Sequence, residues 1–235
     1  LVNCATRLHC LLKDLSKIDR ELLTESGASG FIDKDDGEIQ IIYGPRVRLI
    51  KKELDAFLDS EEADLKKRPE FDEKSVTTKV EDALGAIYCA PVDGRLAPIA
   101  ETPDAVFSQR MLGNGVVIFP TGQEVQAPCD AKVEVLFPTK HAIGLRDKNG
   151  IELMIHIGID TVKLEGKGFT AHIVQGDTVK AGEALVGFDL DVIHTNAPSD
   201  AVPVVFTNIP ATKRIKVLKT GPVKAGESII EIINA

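Results

Sequence analysis

Two histidines stand where a single turn could bring their rings together. The segment Leu136-Phe137-Pro138-Thr139-Lys140-His141-Ala142-Ile143-Gly144-Leu145 passes through Asp147-Lys148-Asn149-Gly150 into Ile151-Glu152-Leu153-Met154-Ile155-His156-Ile157-Gly158. Apolar runs on either side of turn residues read as a β-hairpin. A two-residue loop at Lys148-Asn149 sets His141 opposite His156, whereas a loop at Asn149-Gly150 pairs Ile143 with His156 and leaves the rings diagonal. Both registers put the imidazoles on one face, with Ile143, Leu145 and Met154 as neighbours. A slip of one residue would send them to opposite faces.

Imidazoles in an apolar patch are suited to accepting and handing on a phosphoryl group, because excluding water limits hydrolysis of the labile N–P bond. One ring would be the nucleophile and its twin would donate a hydrogen bond to the phosphoryl oxygens. Two plainer readings stand beside this one. The rings could be half-buried strand histidines that satisfy one another, or a metal site with Asp160 as the nearest candidate third ligand.

The elements that must position these residues follow from the pattern along the chain. A strand over Ala5–Leu12 leads to a short helix opened by Ser16 and Asp19 and stopped by Gly27. Strands at 30–33 and 38–43 flank an Asp36-Gly37 turn, and Val47, Ile50, Leu54 and Leu58 recur at helical spacing. Residues 1–60 thus read as a small α+β domain, an antiparallel sheet with helices. Residues 61–84 are charge-rich with little apolar periodicity, as expected of a solvated linker. From residue 85 to 235, short apolar runs alternate with turn signals at Asp93-Gly94, Asn114-Gly115, Thr121-Gly122, Asn149-Gly150, Gly176-Asp177 and Gly221-Pro222. That pattern predicts an all-β sandwich or flattened barrel.

Composition bounds the function. The chain has 235 residues, 43% of them hydrophobic, and a net charge of −8, which argues against a nucleic-acid partner and favours a basic one. No run approaches the roughly 18–20 apolar residues of a membrane span, so the visible chain reads as soluble. Its four cysteines lack Cys-x-x-Cys spacing and read as reduced intracellular thiols. The sequence opens at Leu1, in what reads as a strand running into Cys4, and is expected to be a fragment.

From Ala90-Pro91-Val92-Asp93-Gly94 through Pro103-Asp104-Ala105-Val106-Phe107 and Gly113-Asn114-Gly115 to Pro138-Thr139-Lys140-His141-Ala142, the sequence carries a long set of motifs. They continue in His156-Ile157-Gly158-Ile159-Asp160-Thr161-Val162, Leu164-Glu165-Gly166-Lys167-Gly168-Phe169 and Pro203-Val204-Val205. In these it resembles the enzyme IIA domain of the glucose family (glucose, N-acetylglucosamine and β-glucoside type) of the phosphoenolpyruvate-dependent sugar phosphotransferase system. The resemblance implies that His156 is phosphorylated, that His141 is its partner held by Thr139, and that the Gly158 carbonyl orients the His156 ring. It implies that Asp104 and Asp160 border the site, and that Val106, Phe107 and Phe137 form an apolar docking surface for the phosphocarrier HPr. His172 and His194 fall outside its functional motif, and Cys10, Cys89 and Cys129 read as core or strand thiols.

The first domain resembles the enzyme IIB domain of the same system through Asn3-Cys4-Ala5-Thr6-Arg7-Leu8 and Glu38-Ile39-Gln40-Ile41-Ile42-Tyr43-Gly44-Pro45. The resemblance implies that Cys4 accepts phosphate from His156 and passes it to a sugar held by a membrane IIC domain, which this sequence lacks. Arg7 is placed in sequence to lower the thiol pKa and to bind phosphoryl oxygens through its planar fork. Where the family has a second Arg, this chain has His9, and the helix that normally precedes the cysteine loop is absent, so the domain is truncated at its start. The implied setting is the cytoplasmic side of a bacterial membrane, with no cofactor and no metal. The linker makes transfer between the domains effectively intramolecular. The alternatives are a regulatory binding module of IIA type, and a biotinyl or lipoyl carrier domain. The carrier reading is suggested by Val179-Lys180-Ala181-Gly182-Glu183 recurring as Val223-Lys224-Ala225-Gly226-Glu227, with Lys132 as the one tempting modifiable lysine.

Overall fold

The computed structural model describes residues 2, 3, 6–12, 14–34, 37–44, 47–58 and 84–235. Cys4 and nearly all of the expected linker lie outside the described residues. The chain divides into two compact units, Leu1–Thr78 and Lys79–Ala235.

The first unit runs β1 (Val2–Asn3), β2 (Arg7–Leu11), α1 (Arg20–Glu25), β3 (Gly30–Asp33), β4 (Glu38–Ile42) and α2 (Val47–Leu58). Its strands form an antiparallel sheet in the order β1-β2-β4-β3. Asp19 starts α1 by accepting from the Leu22 N–H at 2.9 Å, and Gly27, at φ +95°, ends it. Alternation in β2 and β4 sends Leu8, Cys10, Ile39 and Ile41 to one face, where Val47 and Ile50 of α2 cover them. Leu58 carries the helical period but is exposed, because the helix ends there.

The second unit contains β5 (Ile87–Cys89), β6 (Gly94–Pro98), α3 (Ala105–Ser108), β7 (Asn114–Pro120), β8 (Glu124–Gln126), β9 (Ala131–Leu136), β10 (Ala142–Asp147) and β11 (Glu152–His156). It continues with β12 (Phe169–Ala171), β13 (Thr178–Val179), β14 (Ala184–Phe188), α4 (Leu190–Asn196), β15 (Val202–Phe206), β16 (Lys213–Val217), β17 (Gly221–Val223) and β18 (Ser228–Asn234). Eight strands form one sheet in the order β13-β9-β10-β11-β15-β7-β6-β17, and two three-stranded sheets, β12-β14-β8 and β16-β18-β5, pack on it. The large sheet is open between β13 and β17, so the unit is a sandwich and not a closed barrel.

All three sheets feed one core, in which Phe206 meets the edge of Tyr88 with ring centroids 4.8 Å apart. Phe206 is 1% exposed, and Phe206→Ala is expected to lower the stability of this unit by about 3–5 kcal/mol, read as a fall in denaturant midpoint at unchanged m-value.

Two of the expected turn signals are strand residues instead. Asn114-Gly115 opens β7 and Gly221-Pro222 opens β17. A Cβ at Gly115 would come 2.0 Å from the Val204 carbonyl oxygen of β15, so glycine is there to let two strands approach and not to turn the chain.

The repeated Val-Lys-Ala-Gly-Glu also has a structural reason. Asp130 accepts from Lys180 Nζ at 2.9 Å and from the Ala181 N–H at 2.9 Å, while Asp93 accepts from Lys224 Nζ at 2.7 Å and the Ala225 N–H at 2.8 Å. Each repeat is a hairpin tip clasped by one aspartate. Lys132 lies within β9, paired with Arg146 and Thr178 on either side, so it is not the exposed tip lysine that a carrier domain would need. Among the described residues, no helix is long and apolar enough to cross a membrane.

Candidate functional site

The hairpin that bears the histidines is built on β10 and β11, with Ala142 opposite His156 and Leu145 opposite Leu153. Neither expected register is the one adopted. The loop has three residues, Lys148-Asn149-Gly150, because Asp147 Oδ1 accepts from both the Asn149 and Ile151 N–H groups at 2.8 Å and Gly150 takes φ +78°. This is the one-residue slip that strict alternation would punish. Ile143 and Leu145 duly point into the core, away from Met154 and His156.

His141 escapes alternation because it lies before β10, after a turn in which Lys140 has φ +58° and donates to the Phe137 carbonyl at 2.7 Å. Outside the pleat its side chain need not follow the strand. The two imidazoles lie 4.9 Å apart, centroid to centroid, and nearly perpendicular at 80°. The rings are therefore neighbours, as expected, but by a different backbone route.

Each ring is held through Nδ1. His156 Nδ1 lies 2.7 Å from the Gly158 carbonyl oxygen, and a carbonyl can only accept. His156 therefore carries its proton on Nδ1 and leaves Nε2 as a lone pair. His141 Nδ1 lies 2.5 Å from Thr139 Oγ1, and its buried Nε2 has no hydrogen-bond partner within the described structure.

Phe107 stands against His156 at 5.4 Å and Phe137 against His141 at 5.6 Å. Asp104 caps α3, accepting from the Val106 N–H at 2.9 Å and the Phe107 N–H at 3.3 Å, so it sets the helix that carries Phe107. Val106, Phe107 and Phe137 are 0%, 2% and 5% exposed. Phe107 and Phe137 thus pack against the two rings, and Val106 is buried beside Phe107 on α3.

Burial has an electrostatic consequence. His141 is pushed down from 6.5 to about 2, first by desolvation and second by repulsion from His156. The unfolded chain takes up a proton here below about pH 6.5 that the folded chain refuses. Its neutral burial therefore contributes stability in full above that pH, and the contribution is lost progressively as pH falls toward about 2. Between pH 7 and pH 5 the loss is about 2 kcal/mol. Urea titrations at the two pH values are expected to show this slope in the wild type and to show it reduced by that amount in His141→Gln.

The remaining expectations sort as follows. Asp160 adopts φ +58° and its carboxylate pairs with Lys163 at 3.0 Å, and among the described residues no three His, Cys, Asp or Glu side chains gather as a metal site. His194 bonds Asp200 at 2.8 Å and His172 lies 3.8 Å from Glu124, both apart from the ring pair. Burial pushes the Cys10 thiol up and the Cys129 thiol up to about 12, which suits neither to nucleophilic work. In the first unit, Arg7 is buried and its Nη1 donates to Gln40 Oε1 at 3.0 Å, while His9 Nδ1 lies 2.7 Å from Glu38 Oε1.

Two contributors had no signal strong enough to be picked out in the sequence. Thr161 donates to the Ile157 carbonyl at 2.6 Å, and the Ser199 carbonyl accepts from the Ile159 N–H at 2.8 Å. The spacing of four between Ile157 and Thr161 permits such a back-bond, but Ser199 is remote in sequence.

Comparison with known proteins agrees with the geometry. The family model described as phosphoenolpyruvate-dependent sugar phosphotransferase system, EIIA 1, matches residues 86–212. The solved structure of the glucose permease IIA from Mycoplasma capricolum is similar at 40% identity and a TM-score of 0.59, over 61% of this chain and 93% of that one.

Proposed function

Because the chain belongs to the EIIA type 1 family of the phosphoenolpyruvate-dependent sugar phosphotransferase system, we propose that His156 takes a phosphoryl group from HPr and passes it to Cys4, which delivers it to a sugar held by a membrane IIC domain. The observation that carries this reading is the bond from His156 Nδ1–H to the Gly158 carbonyl, since it puts the ring proton on Nδ1 and makes Nε2 the unprotonated, nucleophilic nitrogen.

In the first step Nε2 forms a bond to phosphorus as the bond to the HPr donor breaks, in line and without loss of a proton from the ring. Thr139 donates its hydroxyl hydrogen to His141 Nδ1, so that the neutral second ring carries its proton on Nε2 and offers it to a phosphoryl oxygen. Phe107, Phe137 and the burial of both rings keep water from the N–P bond. In the second step the Cys4 thiolate attacks phosphorus and the bonding pair returns to Nε2. Arg7 serves that transfer by charge. The acidic net charge favours a basic partner, and the relay would run at the cytoplasmic face of the membrane.

Incubation of the chain with phosphoenolpyruvate, enzyme I and HPr is expected to label His156 and then Cys4, and Cys4→Ser is expected to hold the label on His156. A wild-type chain whose label never leaves His156, even with excess sugar and a IIC domain, would favour a regulatory binding module over the relay.

A further inference from the structure

We infer that Thr161 is a positioning residue for His156: together with the Ser199 carbonyl it locks the loop after β11 so that the Gly158 carbonyl keeps the imidazole in its Nδ1–H form. The functional consequence rests on His156 being the phosphoryl acceptor; the geometry does not. Thr161 is fully buried, and its hydroxyl donates to the Ile157 carbonyl at 2.6 Å. The N–H of the same Ile157 donates to the His141 carbonyl at 2.7 Å. The residue directly after His156 is thus tied on both sides, once to the partner histidine's backbone and once to Thr161.

The next peptide unit carries the carbonyl that matters. Its oxygen, on Gly158, accepts from His156 Nδ1 at 2.7 Å, and its N–H, on Ile159, donates to the Ser199 carbonyl at 2.8 Å. A trans peptide is planar, with its C=O and N–H pointing in opposite directions, so holding the N–H on Ser199 aims the oxygen at the ring. Hydrogen bonds in series also polarise one another, which strengthens the grip on Nδ1–H.

The methyl group of Thr161 closes the same device. Gly158 has φ +71°, and a Cβ there would come 2.5 Å from Thr161 Cγ2 and 3.1 Å from the Ser199 oxygen. The hydroxyl fixes one peptide and the methyl fills the space that only glycine leaves beside the next. If the loop relaxes, the carbonyl drifts from Nδ1 and the ring gains access to its Nε2–H tautomer, which has no lone pair to offer at the attacking position.

Thr161→Val keeps the shape and removes the hydroxyl, whereas Thr161→Ser keeps the hydroxyl. In ¹⁵N spectra of the whole unphosphorylated chain, the wild type and Thr161→Ser are expected to show His156 as one Nδ1–H tautomer, and Thr161→Val a mixture. The rate of labelling from HPr is expected to fall about tenfold in Thr161→Val and to recover most of the way in Thr161→Ser. Thr161→Ala, which sheds the hydroxyl without needing room, gives the same readings if the valine variant does not fold. A hydroxyl-free variant with the wild-type tautomer and rate overturns the inference, as does a serine variant with the valine variant's mixture. If the wild type itself takes no label on His156, the phosphoryl reading fails, while the tautomer comparison still decides the role of Thr161.

Discussion

His156→Ala is expected to take no phosphoryl label from HPr on either unit, a loss of at least about a thousandfold. The other histidines of the second unit and the Cys10 and Cys129 thiols are poorly suited to stand in. His141 is neutral and fully buried, with its Nδ1 committed to Thr139, and the Cys10 and Cys129 thiols are held protonated by burial. His172 and His194 are engaged with acidic partners elsewhere. Quantifying radiolabel after gel filtration, with the fold checked by circular dichroism, measures the effect. Label on the His156→Ala chain at some unrelated residue would sink the relay, because Cys4 is proposed to be filled only through His156.

His141→Ala is expected to leave His156 able to meet HPr but to slow phosphoryl movement through it by about 10²–10³. An arriving phosphoryl group places close to two negative charges in a site that is 6% exposed, where water cannot solvate them well. Among the described residues, the buried polar atom without a hydrogen-bond partner on the neighbouring ring, 4.9 Å away, is His141 Nε2. Removing that donor leaves the charge uncompensated in a medium of low dielectric constant, and the barrier rises for arrival and departure alike. Rapid-quench measurement of label moving onto and off His156 reads both directions. A variant that folds and transfers at the wild-type rate in both directions would show that the second ring is only packing.

The same ring pair shows how much of the site the sequence carries. The hairpin, its two histidines, the capping aspartate Asp19 and the β-rich second unit follow from turn chemistry and periodicity within a dozen residues, whereas the cap at Asp104 emerges only from the structure. The register does not, because Asp147 can choose a three-residue loop only by bonding two N–H groups that the turn itself creates. Apolar side chains beside a motif also say nothing about which way they point. The resemblance implies Phe107 and Phe137 as a docking surface, and only the structure shows that both pack against the rings.

What the sequence by itself determined is local: the position of most strands, some of the turns between them, and that two imidazoles flank one hairpin. These depend on side-chain period and backbone preference, which act over a few residues. Tertiary structure alone decided that Gly115 serves a close approach of β7 to β15, that His141 leaves the pleat to reach His156, and that Ser199 and Thr161 aim the Gly158 carbonyl. Each of these depends on strand order or on backbone bonds between residues far apart in sequence or outside regular elements. The sheet sets β15 beside both β11 and β7, and no short window of sequence contains that fact.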